Sequence, residues 1–186
     1  MPKIATIGFF DGVHRGHRFL FAQLHEHAKH YQLTPAIYTF DCHPKELLTG
    51  KAPAMLTTHD ERKTLLQPFG EVHFLDFAQV QHLTAEQFMR YLQEQEQVEV
   101  LLMGYDHRFG SDQLKGFSEY EKVARGVGLR VERAHECLVD SLPVSSTRIR
   151  KLLHEGQIKQ VNRLLGYHYS LTGIVEHGNG IGAQIG

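Results

Sequence analysis

Tryptophan is absent, cysteine occurs only twice, proline six times, and the charges nearly cancel at -1 with a pI near 6.9. Each shortage closes a class of function. Cys42 and Cys137 cannot staple a secreted scaffold, so a reducing, cytoplasmic setting is expected, with each thiol a small buried or partly buried residue. Near-neutral charge leaves no broad basic face, which argues against nucleic acid or a membrane as principal partner. No apolar run approaches the ~20 residues of a membrane span, and the stretch 4–10 is too short and wrongly flanked for a signal peptide. The chain also lacks CxxC, HExxH, an EF-hand loop and GxxxxGK[ST].

Histidine, by contrast, is abundant, with fourteen in 186 residues. His25, His27 and His30 fall in one expected helix, but their offsets do not place all three on one face. A solvated surface is the simpler reading, and no metal ligands are assigned.

Apolar, β-rich runs alternate with helical patterns, which predicts an α/β fold, a Rossmann-like doubly wound parallel sheet. The expected strands are 3–9, 35–40, 72–75, 98–104 and 129–133. Helices between them are announced by capping boxes at Thr58 with Glu61, Thr84 with Gln87, and Ser118 with Glu121. Two shorter helices, 146–154 and 158–165, are expected after the last strand. Beyond Gly166 the texture changes: residues 169–176 (YSLTGIVE) alternate like a strand, and 177–186 are nearly all glycine, small or amide residues. Gly178, Gly180 and Ala183 formally fit GxGxxG/A, but no helix follows, so a dinucleotide fingerprint is rejected. This reading gives one domain over 1–165, with 166–186 a linker and a short β fragment opening a second domain.

Three motifs fall where strands should meet helices. The first, GFFDGVHRGH over 8–17, follows an apolar run and precedes the helical spacing of Phe19, Leu20, Leu24 and Ala28. A helix beginning near Gly16 would aim free N–H groups and a partial positive charge over the strand end, where an anion docks. His14 and His17 could add ring N–H donors there. The second, SSTRIR over 145–150, sets three hydroxyls and two guanidiniums at a helix start. Residues i and i+2 project differently from a helix. With Ser146 as the expected cap, Arg148 is read as the phosphate ligand and Arg150 as structural. The third, GYDHRFG over 104–110, reads bottom-up as a turn bearing an aspartate.

The long string FDGVHRGH resembles the FAD synthetase members of the nucleotidylyltransferase superfamily. GYDHRFG is similar to that family at Gly104, Asp106, Arg108, Phe109 and Gly110. TFDCHP over 39–44 resembles its TFDPHP, departing at Cys42. NRLLGYHYSLTGIVEHG looks like the junction between its adenylyltransferase and riboflavin kinase modules. The resemblance implies transfer of AMP from ATP to FMN, giving FAD and pyrophosphate, with Mg2+ accompanying ATP. It implies catalytic roles for His14, His17 and Arg148. It implies ATP contacts at Gly8, Phe9, Phe10, Asp11, Gly16, Asp106, Ser145, Ser146 and Thr147, and flavin contacts at Asp41, His43, Pro44, Arg108 and Phe109. Phe9 stands where that family commonly has asparagine, and Ala183 where arginine is usual. The PTAN motif of the kinase module is missing from the sequence, so phosphorylation of riboflavin is not expected of this chain. Two other readings remain: an HxGH nucleotidylyltransferase with pantetheine phosphate, nicotinamide mononucleotide or glycerol phosphate as acceptor, and a non-catalytic flavin or nucleotide-binding module.

Overall fold

Residues 1–177 are described by a computed structural model of the chain. The short β-rich runs form five parallel strands, β1 (Lys3–Ile7), β2 (Thr34–Phe40), β3 (Glu71–Leu75), β4 (Val98–Met103) and β5 (Arg130–Arg133), ordered β3-β2-β1-β4-β5. From β1 the chain steps outward through β2 to β3, then crosses back to the other side of β1 to lay down β4 and β5. That reversal opens a crevice beyond the carboxyl ends of β1 and β4, where open α/β sheets bind ligands.

Alternation along β1 shows why helices cover both faces. Ala5 and Ile7 pack with Phe88, Met89 and Leu92 of α5 (Ala85–Glu94) and with Tyr120 and Ala124 of α6 (Phe117–Gly126). Ile4 instead joins Leu20, Phe21 and Leu24 of α1 (Arg15–Tyr31) on the opposite face. A third cluster of Leu56, Ile149, Leu152, Val161, Leu164 and Leu165 binds α7 (Ser146–His154) to α8 (Ile158–Leu165) and to the loop before α3 (His59–Leu66). At roughly 1.5–3 kcal/mol per buried aliphatic side chain, this small core is enough to seat the second motif beside the sheet. The doubly wound sheet expected from the sequence is therefore the observed architecture, and both terminal helices occupy their expected ranges.

Smaller elements escaped the sequence reading. These are α2 (Pro44–Thr49), α4 (Phe77–Val80) and a hairpin of β6 (Leu138–Val139) with β7 (Leu142–Pro143). The hairpin turns on Asp140 and Ser141, both left-handed at φ 56° and 60°. This two-residue geometry usually carries glycine, and its absence hid the turn.

Boundaries need correction in four places. β1 stops at Ile7 rather than at residue 9, because Phe10 turns left-handed at φ 56° to start a short 3₁₀ turn over Asp11–Val13. The expected capping box at Ser118 does not form: α6 begins after Gly116, Ser118 lies inside its first turn, and the Glu119 carboxylate accepts from Lys115 N–H at 2.9 Å. Ser145 rather than Ser146 caps α7, its hydroxyl accepting from Arg148 N–H at 3.2 Å. Residues 169–176 form no strand, since a strand needs a ladder partner and none of the described residues supplies one. Tyr169 N–H instead donates to Asn162 Oδ1 at 2.8 Å, and the Thr172 hydroxyl donates to Glu61. The glycines and Ala183 of the rejected fingerprint lie outside the described residues.

Candidate active site

A cleft of about 510 Å³ lies over the ends of β1, β4 and β5. Its floor is the turn from Gly8 to His17, which has an unusual backbone. Phe10, Gly12 and Val13 all have positive φ, at 56°, 76° and 35°. At Gly12 a Cβ would also meet Leu56 Cδ1 at 2.8 Å, so glycine is needed both for conformation and for space.

Three remote segments, together with the first turn of α1, hold this turn in place. The Asp11 carboxylate, 3 % exposed, accepts from the backbone N–H groups of Leu56 and Thr57, from the Thr57 hydroxyl, and from Arg150 Nη2 at 2.7 Å. Gly12 N–H donates to Thr57 Oγ1 at 3.2 Å, and Gly12 carbonyl accepts from the Tyr167 hydroxyl at 2.7 Å. The Ser146 hydroxyl donates to Asp11 carbonyl at 3.0 Å. Arg18 Nε donates to Val13 carbonyl at 3.1 Å. With both its oxygens engaged by protein donors, Asp11 acts on the architecture of the cleft.

α1 is capped by His14, whose Nδ1 accepts from His17 N–H at 3.3 Å. That bond assigns the proton of a neutral His14 to Nε2. The His17 ring stacks on His14 with centroids 3.6 Å apart and planes at 19°, and Phe10 meets His17 edge-on at 5.2 Å. Burial pushes the His14 pKa down to about 4, and the nearby Arg150 charge adds to that. Burial, then the neighbouring His14, hold His17 well below the ordinary range as well. Both rings are neutral near pH 7. His17 Nδ1 is buried and has no partner among the described residues.

Ser145, Ser146 and Thr147 bring the start of α7 to the same cleft. The two arginines of this motif diverge, as their spacing requires, but Arg150 rather than Arg148 faces the cleft. Arg150 lines the cleft, bonded to Asp11 and to Ala54 carbonyl, the latter at 2.7 Å. Arg148 lies outside its lining and donates to Pro143 carbonyl at 3.2 Å.

The third motif divides in the same way. Asp106 and Arg108 line the cleft. Phe109 packs into the core against Phe88 and Tyr120, and Tyr120 Oη bridges its backbone N–H and carbonyl at 2.9 and 2.7 Å. Gly8, Phe9, Phe10, Gly16 and His43 are also in the cleft wall. His43 caps α2, where Pro44 takes the first helical position, and its ring lies 4.6 Å from Phe9. Asp41 instead lines a neighbouring cavity of about 410 Å³ that shares Phe9 and His43 with the cleft. Phe9 also carries the guanidinium of Arg62 over its ring at 3.9 Å. Arg62 is 1 % exposed and donates to Phe40 carbonyl at 2.6 Å. Phe9 thus forms an aromatic partition between two cavities, a packing role that asparagine could not fill.

Sequence reasoning missed several cleft residues. His107 sat unremarked between two quoted positions, and His135 and Glu136 follow β5 with no motif to mark them. Arg150 carried a signal but was assigned elsewhere. Among the described residues no cluster of three acidic, histidine or cysteine side chains is arranged to cage a metal ion. Nor is any helix long and apolar enough to cross a membrane.

Comparison with known proteins bears on what this cleft does. The FAD synthetase family matches residues 1–148. Over 187 residues the chain is 34% identical to the bifunctional riboflavin kinase/FMN adenylyltransferase of Pseudomonas fluorescens, an alignment covering 98% of this chain and 60% of that protein. The protein of the same name from Escherichia coli K12 is 32% identical over 188 residues, with 98% and 60% covered. A crystal structure titled as a macrolide-efflux protein from Streptococcus pneumoniae superposes with a TM-score of 0.85 at 29% identity, covering 99% of this chain and 61% of that one. The chain therefore spans about three-fifths of the length of the relatives it matches.

Proposed function

The chain belongs to the FAD synthetase family, whose match spans residues 1–148, and on that premise we propose that it transfers the AMP moiety of ATP to FMN, giving FAD and pyrophosphate. The observation that carries this reading is the neutral, stacked His14–His17 pair facing the start of α7 across one cleft. An FMN phosphate oxygen attacks the α-phosphorus of ATP, the bond to the bridging oxygen breaks, and pyrophosphate leaves. Charge grows on the α-phosphate oxygens and on the leaving group, so fixed donors are what the reaction needs. His14 offers its Nε2–H, and the first turns of α1 and α7 offer N–H groups that have no intrahelical acceptor. Arg150, anchored by Asp11, places a positive charge at the cleft wall. Alignment of the two phosphates contributes on the order of 7–11 kcal/mol, the remainder being electrostatic.

No protein nucleophile is required, because the attacking oxygen belongs to the substrate. Magnesium enters as the ATP complex, with ligands from the triphosphate and water, since the Asp11 carboxylate is committed to protein donors. The free thiols of Cys42 and Cys137 suit a reducing compartment, and we read that compartment as the cytoplasm. The segment from 166 onward we read as the linker toward a second module.

Incubating the purified chain with FMN, ATP and magnesium and separating products by chromatography tests the proposal. FAD formation supports it. Product only with another phosphate acceptor, or flavin binding without turnover, overturns it.

A further inference from the structure

Two buried ring nitrogens of the cleft have no hydrogen-bond partner among the described residues, Nδ1 of His17 and Nδ1 of His107. His17 belongs to the phosphate end. His107 stands elsewhere, in a tight turn after β4 that is closed by its own N–H donating to Gly104 carbonyl at 3.1 Å. Its ring contributes both to the cleft wall and to that of a side recess of about 220 Å³, which Phe117, Tyr120 and Arg133 complete. Burial pushes its pKa down to about 4, although the charge of Asp106 acts in the opposite direction. The imidazole is therefore uncharged near pH 7.

A buried polar nitrogen left unpaired costs about 1–3 kcal/mol, and native structures rarely leave one without a ligand or water to meet it. A phosphate is a poor candidate for that partner. The anion donors gather at the starts of α1 and α7 instead, where His14 and His17 stand. From there the cleft runs over the ends of β4 and β5, where Gly104, Ala134 and Cys137 present little side-chain bulk. A flat, uncharged heterocycle fits that surface, and a neutral imidazole offers it one donor and one acceptor.

We propose that His107 hydrogen-bonds the base of the nucleotide, selecting ATP through its adenine rather than its phosphates, an inference that rests on the adenylyl-transfer reading of the cleft. The test is equilibrium titration of the full chain with ATP and, separately, with inorganic tripolyphosphate, both with magnesium and without FMN. His107→Phe should weaken ATP binding about tenfold and leave tripolyphosphate binding unchanged. His107→Asn, which keeps a donor and an acceptor, should recover most of the ATP affinity. His107→Ala gives the same comparison if the larger ring disturbs the fold. Unchanged ATP affinity in a folded variant overturns the inference, as does an equal loss for both ligands. Because no FAD is formed in these titrations, they are independent of the proposed acceptor. Base-dependent loss in a chain that makes no FAD would retire FMN as acceptor and keep the contact.

Discussion

Stacking His17 on His14 at 3.6 Å, with Arg150 close by, sets two imidazoles where a positive charge on either is opposed by its surroundings. In the proposed adenylyl transfer they would contribute directed N–H dipoles rather than net charge. The two rings have separable tasks, because His14 caps α1 through its side chain whereas His17 enters that cap only through its backbone. His17→Ala should therefore fold normally and lose about 100–1000-fold in kcat for FAD formation, with FMN affinity little changed. Single-turnover measurement of FAD beside FMN titration checks this, and near-normal turnover would remove His17 from the mechanism. The arginines supply a second contrast. Arg150→Ala strips the 2.7 Å ion pair from a buried carboxylate and should cost on the order of 3 kcal/mol of stability together with turnover. Arg148→Ala gives up one surface bond to Pro143 and should stay within about 0.5 kcal/mol. Thermal melts and FAD assays on both variants decide between them. The sequence placed both guanidiniums at a helix start but could not say which faced inward, since that is set by the packing of Ile149 and Leu152 against α8 and the loop before α3.

At the scale of elements, the turn over residues 10–13 is the part of the molecule least able to hold itself. Its two non-glycine residues with positive φ, Phe10 and Val13, each oppose folding by about 1–2 kcal/mol. The opposing bonds come from the loop before α3, from α7, and from the segment after α8, as well as from α1 itself. Tyr167 makes the longest of these reaches, 155 residues back to Gly12, and Arg18 braces its ring at 5.2 Å. Tyr167→Phe keeps the ring and deletes only the hydroxyl, leaving Gly12 carbonyl unpaired. A loss of about 1 kcal/mol is expected, seen as a melting point lower by about 2–4 °C, with a several-fold fall in kcat as the histidines lose their fixed floor. A variant that melts lower but turns over at the wild-type rate would show the strap to be structural only. Local grammar predicted the helices well where it was unambiguous: the boxes at Thr58 and Thr84 form as written. It failed at Ser118 because a neighbouring glutamate satisfied the same helix start from a different position.

Across the whole molecule, the fold was legible because alternation of β-rich and helical runs is a short-range pattern that five parallel strands must obey. The site was legible only in part, because its decisive contacts join residues far apart in sequence, such as Arg150 with Asp11 and Tyr167 with Gly12. The buried histidines also tie that site to global stability. His14 and His107 are held neutral with pKa values of about 4, against 6.5 for the exposed side chain, and His17 is shifted in the same direction. Between those values the unfolded chain binds more protons than the folded one, so stability is complete above about pH 6.5 and is lost as pH falls toward 4. For His14, which is 3 % exposed, the integrated loss is about 3 kcal/mol at the acid end. The melting temperature should therefore hold steady from pH 8 to 7 and fall steeply between about 6 and 4. In His107→Phe that fall should be shallower, because one of the groups that must take up a proton is gone. Calorimetry across this range measures the slope directly. Identical slopes for the variant and the wild type would mean that His107 is already solvated in the native state, and would weaken the case for its meeting a base in the cleft.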